Sequence, residues 1–205
     1  MDKVVHKSNP HDVYIGRPSR WGNPFVIGKD GTREEVIHKY QAWIFKQPEI
    51  LKDLYTLKGK TLGCWYVPLA CHGHYLAWLA NLTKIGIVGS RTANDYSKLK
   101  NLMFSTFYRG HGLEDPLNHN YAIVSGGASG ADTLGKCFAH DTKTTYIEFP
   151  ADWDKHGRSA GFVRNEYIVN NSDIIIALWD GQSKGTQHTL NLAKAQKKPT
   201  FIIYF

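Results

Sequence analysis

The chain has 205 residues, 42% of them hydrophobic, and a formal net charge of +7; this suits one large domain, or an ordinary domain with a small companion. No apolar run reaches the roughly 18 residues of a membrane span, and the polar opening Met1–Pro10 lacks the apolar stretch of a secretory signal. Three cysteines (Cys64, Cys71 and Cys137) give no disulfide framework and suit a reducing compartment, so the expected location is cytoplasmic, with no membrane partner. The positive charge is diffuse: there is no basic tail and no lysine run longer than Lys197-Lys198. Polyanion binding normally gathers its charge on one face, so nucleic acid is a possible but not a favoured partner.

Two textures divide the chain, and the expected boundary lies at 82/83. Residues 1–82 read as a small α/β domain rich in aromatics and turn signals such as Trp21-Gly22-Asn23-Pro24. Val13–Ile15 is a short strand. Thr32 with Glu35 makes a capping box ahead of a helix that carries Val36, Ile37, Tyr40, Trp43 and Ile44 at helical spacing. A second helix is expected over Pro48–Leu57, a strand over Thr61–Val67 and a helix over Tyr75–Leu82.

Residues 83–205 change to a βα rhythm. Strands are expected at 84–88, 121–125, 144–147, 172–178 and 200–204, and helices at 96–108, 131–140, 160–170 and 186–196; 111–120 reads as an irregular surface insert. Five short apolar strands alternating with helices predict a Rossmann-like parallel sheet flanked by helices on both faces.

Ligands of an open parallel sheet bind beyond the C-terminal ends of its strands. Three glycine-rich loops fall there: Gly89-Ser90-Arg91; Gly126-Gly127-Ala128-Ser129-Gly130 with Asp132; and Asp180-Gly181 with Ser183 and Gly185-Thr186. Glycine lets backbone N–H groups approach an anion, and a following helix N-terminus adds unpaired donors. Arg91 and Arg164 can neutralise phosphate in a forked geometry. Asp132 or Asp180 can accept from ribose hydroxyls or a base amine. Trp153, His156 and Arg158, in the long connection before the third helix, are placed to line the same crevice. Neither the dinucleotide fingerprint nor the P-loop pattern is present at these loops, which argues against an ordinary dehydrogenase or ATPase. No cofactor is expected.

These loops, in this order and with Arg164-Asn165 between the second and third, resemble the SLOG superfamily over about residues 84–205. This group includes the Lonely-guy phosphoribohydrolases, the DNA-processing protein A family and sensors of nucleotide-derived signals. The resemblance implies that Gly89 to Arg91, Gly126 to Asp132 and Gly185-Thr186 cradle a phosphate–ribose unit. In the hydrolase branch an arginine matching Arg164 and a glutamate after the Gly-Thr pair serve N-glycosidic cleavage. Here His188 stands where that acid is expected. A neutral histidine lacks the negative charge that supports a cationic sugar, so binding is favoured over cleavage; Asp132 and Glu166 are the carboxylates that might substitute. The first 80 residues, through Gly16-Arg17-Pro18, Trp21-Gly22-Asn23-Pro24 and Gly63-Cys64-Trp65 to Cys71-His72-Gly73, resemble an uncharacterised domain family of phage and bacterial proteins. Its members usually have cysteine in place of Tyr66 and aspartate in place of His74, and it fits a viral or mobile-element origin.

Two further constellations have plain explanations. Cys64, Cys71, His72 and His74 are ligand types for zinc, but C-x6-C-H-x-H is not a finger spacing, so buried thiols and turn histidines are expected and no metal. Arg17, Arg20, Asn23 and Arg33 around Trp21 can contact a nucleobase, although a turn with a core tryptophan is the preferred reading. The leading function is binding of a nucleotide or ADP-ribose-like ligand, as a sensor or sequestering protein. N-glycosidic hydrolysis and single-stranded DNA binding stay open. Phe104, Phe107 and Tyr108 are candidates for a homo-oligomer contact, with core packing an equal account.

Overall fold

The protein is described from a computed structural model, over residues 3–105 and 120–205. It divides into two compact units, Met1–Leu82 and Thr83–Phe205.

In the first unit, three short strands, β1 (Val4–His6), β2 (Val13–Tyr14) and β3 (Leu62–Cys64), form a parallel sheet of order β1-β3-β2. The helix α1 (Arg33–Ile44) begins at the expected capping box: Thr32 Oγ1 accepts from the Glu35 amide (3.3 Å), and the Glu35 carboxylate accepts from the Thr32 amide (2.7 Å). These bonds hold the Glu35 carboxyl below its usual range. Val36, Tyr40 and Ile44 form the buried stripe. The Tyr40 hydroxyl donates to the Trp21 carbonyl (3.0 Å), and Trp21 is buried, so the tryptophan turn packs in the core. Arg20 instead pairs with Asp53.

Three expectations for this unit are corrected. The helix over 48–57 is two pieces, α2 (Pro48–Leu51) and a 3-10 turn at Leu54–Leu57. The strand expected to run to Val67 ends at Cys64, where its partner β1 also ends. The last helix, α3 (His72–Asn81), starts three residues early because Cys71 and His74 form a reciprocal cap: the Cys71 amide donates to His74 Nδ1 at 3.3 Å.

The second unit is a five-stranded parallel sheet of order β6-β5-β4-β7-β8. Its strands are β4 (Thr83–Gly89), β5 (Tyr121–Ser125), β6 (Thr145–Glu148), β7 (Ile174–Trp179) and β8 (Thr200–Tyr204). Helices α4 (Tyr96–Met103), α5 (Ala131–Asp141), α7 (Ala160–Asn170) and α8 (Lys184–Ala195) connect and flank them. β4, β5 and β7 are buried almost throughout, whereas the edge strand β8 alternates between exposed and half-buried residues, as its single partner dictates. Ile87, Leu99, Phe138 and Ile176 centre the core, and Phe104 packs on Phe138 (ring centroids 6.3 Å), so packing accounts for it. Phe107, Tyr108 and most of the expected insert lie outside the described residues. The long connection at 152–161 contains a short helix, α6 (Trp153–His156), and a 3-10 turn at Gly157–Ser159. Among the described residues, no helix is long and apolar enough to cross a membrane.

The chain leaves β4 in one direction for β5 and β6, then returns to place β7 and β8 on the other side. The connections therefore diverge between β4 and β7, and a crevice opens at the C-terminal ends of those strands.

Candidate functional site at the sheet switch point

The loops after β4 and β7 are joined directly. The Ser90 amide donates to the Leu178 carbonyl (2.8 Å), and the Asp180 amide donates to Ser90 Oγ (3.2 Å). Asp180 Oδ1 accepts from the Gln182 and Ser183 amides (2.9 and 2.8 Å), closing a turn into α8 and holding the Asp180 carboxyl below its ordinary value. Ser183 caps α8, its Oγ accepting from the Thr186 amide (3.4 Å) and the Thr186 hydroxyl (3.0 Å).

The loop after β5 is fastened by Arg164 on α7. Its Nη1 donates to the Gly126 carbonyl (3.2 Å) and to Asp132 (3.4 Å), and Asp132 also accepts from the Ala128 amide (3.0 Å). Burial pushes the Asp132 carboxyl up, against the lowering by the Arg164 charge and the Ala128 amide. Asn165 donates to the Gly185 carbonyl (3.1 Å), tying α7 to the start of α8. Gly130 has φ +77°, and a Cβ there would sit 2.4 Å from the Ser90 carbonyl oxygen. Only glycine lets the loops after β4 and β5 close together.

These elements surround a cavity of about 410 Å3, within the range of small-ligand sites. Of the residues singled out in the sequence, Gly89, Arg91, Ala128, Asp132, Arg164, Asn165, Asp180, Ser183, Gly185 and Thr186 line it, together with Trp153 and Arg158. Ser90, Gly126, Gly127, Ser129, Gly130 and Gly181 are not in the lining; Ser90, Gly126 and Gly130 shape the loops from behind. Glu166 is exposed and outside the lining; His156 is half-buried and also outside it. His188 and Phe162 pack edge to face (4.7 Å between centroids), and His188 Nδ1 is buried without a hydrogen-bond partner among the described residues.

Thr92, Phe162, Gly161 and Ile168 are lining residues that the motif reading did not name. Gly161, Arg164, Asn165 and Ile168 recur at helical spacing, so one face of α7 could have been found by stepping from Arg164. The exposed rings of Trp153 (55%) and Phe162 (45%) flank this face. Among the described residues, neither Arg91 nor Arg158 forms an ion pair, although both line the cavity.

The first unit has a cavity of similar volume, about 410 Å3, lined by Arg17, Asn23, Arg33, Trp65, Cys64, Cys71 and His72 among others. Arg17, Asn23 and Arg33 of the expected polar–aromatic cluster meet there, while Arg20 and Trp21 do not. Arg33 donates to the Ala70 carbonyl (3.2 Å) and lies 4.9 Å from the centroid of the Tyr66 ring. A hydrogen bond from Cys71 pulls the Cys64 thiol below its usual range; the same bond and burial push Cys71 up.

Two family models match the chain: a domain of unknown function (DUF4326) over residues 2–82, and the YspA, cpYpsA-related SLOG family over residues 114–156. The second unit therefore has a SLOG-like fold, and the first carries the DUF4326 match. Relatives of the chain occur in viruses. The uncharacterized protein R718 of Acanthamoeba polyphaga mimivirus is 36% identical over 89 residues, covering 35% of this chain and 68% of that one. The Gene 61 protein of Mycobacterium phage D29 is 29% identical over 131 residues, covering 60% and 97%. An uncharacterized 12.4 kDa protein from the nrdA-td intergenic region of Enterobacteria phage T4 is 39% identical over 85 residues, covering 38% and 77%. Two solved structures are also similar. DNA processing protein A (DprA) from Streptococcus pneumoniae is 18% identical with a TM-score of 0.46, covering 62% of this chain and 52% of that one. DNA processing protein A from Helicobacter pylori, a structure that concerns its single-stranded DNA binding mode, is 20% identical with a TM-score of 0.43, covering 61% and 66%. The chain thus spans about half the length of the first of these structures.

Proposed function

We propose that the second unit binds a nucleotide-type ligand, its phosphate between the start of α8 and Arg91 and its base against Trp153 and Phe162. The observation that carries this reading is the pair of arginines, Arg91 and Arg158, that form no ion pair among the described residues, on a cavity that also takes in the N-terminal turn of α8. An anion there meets two guanidinium groups and the positive end of a 12-residue helix. Gly185 supports the same assignment. A Cβ on it would meet nothing within 4 Å, and its φ is unexceptional, so the fold does not require glycine. The bare backbone leaves room for a ligand.

Binding without cleavage is favoured because both lining carboxylates are engaged. Asp132 is held by Arg164 and the Ala128 amide, and Asp180 by two amides of its own turn. Asp132 thus serves to fasten the loop after β5, and Asp180 commits one of its two oxygens to its own turn.

Calorimetric titration of the full chain with AMP, ribose 5-phosphate and adenosine tests the reading. AMP is expected to bind most tightly, and adenosine to lose most of the affinity. Trp153→Ala is expected to weaken AMP by about tenfold, the lower end of base stacking on an aromatic ring, while leaving ribose 5-phosphate unchanged. Gly185→Ala is expected to keep or slightly raise stability, by at most about 1 kcal/mol, while AMP affinity falls. No heat from any phosphate-bearing nucleotide with folded protein, or adenosine binding as well as AMP, would overturn the assignment. A salt-dependent shift with a labelled oligonucleotide but none with mononucleotides would favour DNA binding instead.

A further inference from the structure

The first unit gathers soft donors that the sequence spacing does not predict. Cys64 ends β3, Cys71 caps α3 and His72 is the first residue of that helix. All three are buried, and one potential ligand atom from each lies within 4.8 Å of the others. A tetrahedral zinc centre with bonds to sulfur of about 2.3 Å needs its sulfur atoms roughly 3.8 Å apart, so small side-chain rotations suffice.

The histidine is already oriented. His72 Nε2 lies 3.0 Å from the Ile15 carbonyl, which can only accept. The ring therefore carries its proton on Nε2, and Nδ1 presents a lone pair. Metal-bound histidines are characteristically fixed in this way, by donating the other N–H to a carbonyl. His74 is placed differently: its Nδ1 accepts from the Cys71 amide, and its side chain is not among the three that converge. Two thiolates and one imidazole suit zinc-class ions; magnesium and calcium prefer oxygen.

Three protein ligands leave a tetrahedral ion one open position. Cys64, Cys71 and His72 all line the cavity of the first unit, so that position opens into it. Arg17 and Arg33 line the same cavity. We propose that Cys64, Cys71 and His72 bind one zinc-class divalent ion, whose fourth position faces the cavity and takes an anionic ligand favoured by Arg17 and Arg33. A metal site with three protein ligands and one exchangeable position is the arrangement of catalytic rather than structural zinc.

The test is anaerobic titration of the reduced, chelator-stripped full chain with Co2+. The expected result is a thiolate-to-cobalt charge-transfer band with the intense visible bands of a tetrahedral site, saturating at one ion per chain and removed by Zn2+. Inorganic phosphate is expected to shift the visible bands, and to do so less in Arg33→Met. The charge-transfer band should weaken sharply in Cys64→Ser and in Cys71→Ser, and persist in Cys137→Ser, whose thiol is exposed. The wild-type spectrum needs no variant, so a variant that fails to fold leaves the test intact. Absence of the band in reduced wild-type protein would overturn the metal site, as would a Cys64–Cys71 disulfide that, once reduced, takes up no cobalt. Visible bands unmoved by phosphate or other small anions would overturn the open position.

Discussion

Gly89→Ala is expected to destabilise the second unit by roughly 3–5 kcal/mol, the sum of a strained backbone and an overpacked contact. Gly89 has φ +154°, and a Cβ there would lie 2.0 Å from the Leu178 carbonyl oxygen and 2.8 Å from the Ala131 side chain. The carbonyl cannot move freely, because it accepts the Ser90 amide that joins the loops after β4 and β7. Relief means pulling those loops apart at the mouth of the cavity. Gly181→Ala is the matched control: φ there is +75°, but a Cβ would meet nothing within 4 Å. It should cost only the left-handed backbone, about 1 kcal/mol. Urea unfolding of both variants separates strain from collision. Equal midpoints would mean that the β4–β7 junction accommodates a side chain, contrary to the packing described.

Arg164→Met is expected to cost about 2–3 kcal/mol at neutral pH and less in acid. The guanidinium is partly exposed, so the cost lies below the roughly 3–5 kcal/mol of breaking a fully buried pair. Asp132 is buried, and its carboxyl is already raised by desolvation, with Arg164 the largest opposing influence. Removing Arg164 raises it further. A folded state with a raised acid pKa binds a proton that the unfolded chain has released. The associated stability is fully present below the unfolded value of 3.8 and is lost as pH rises through the folded one. The gap between wild type and Arg164→Met should therefore widen from acid toward neutral pH. In Arg164→Met/Asp132→Asn the charge is gone, so the variation should flatten and part of the loss should return. A gap independent of pH would show that Asp132 does not depend on Arg164 for its ionised form. Nucleotide binding should fall in Arg164→Met as well, because the Gly126 loop loses its anchor.

Much of the second unit was legible because its signals are local. The five apolar runs became the five strands, with ends shifted by one or two residues, since a strand covered on both faces must be apolar at every position. The capping box at Thr32 and Glu35 is equally readable, as a four-residue pattern suffices to form it. β1 is not legible in the sequence: Val4–His6 is too short to show alternation, and its pairing with β3 depends on residues 58 positions away. The break in the helix expected over 48–57 is not visible in the sequence, because apolar spacing alone does not reveal where a helix gives way to a 3-10 turn.

The sequence by itself determined which residues can approach an anion: the glycines, the hydroxyls and the arginines beside strand ends, because backbone freedom and donor chemistry belong to residue types. Only the tertiary structure decided how they are used. It divided the glycines between lining the cavity and letting loops pass close behind it. It tied Asp132 to Arg164 across 32 residues and, among the described residues, gave Arg91 and Arg158 no ion pair. It also brought the end of β3 to the first turn of α3, so that Cys64, Cys71 and His72 converge although their spacing matches no finger. The physical reason is common to all three cases. Whether a charge is neutralised, a carboxylate is free or a thiol has a neighbour depends on distances of a few ångströms between separate elements, and those are set by packing rather than by order along the chain.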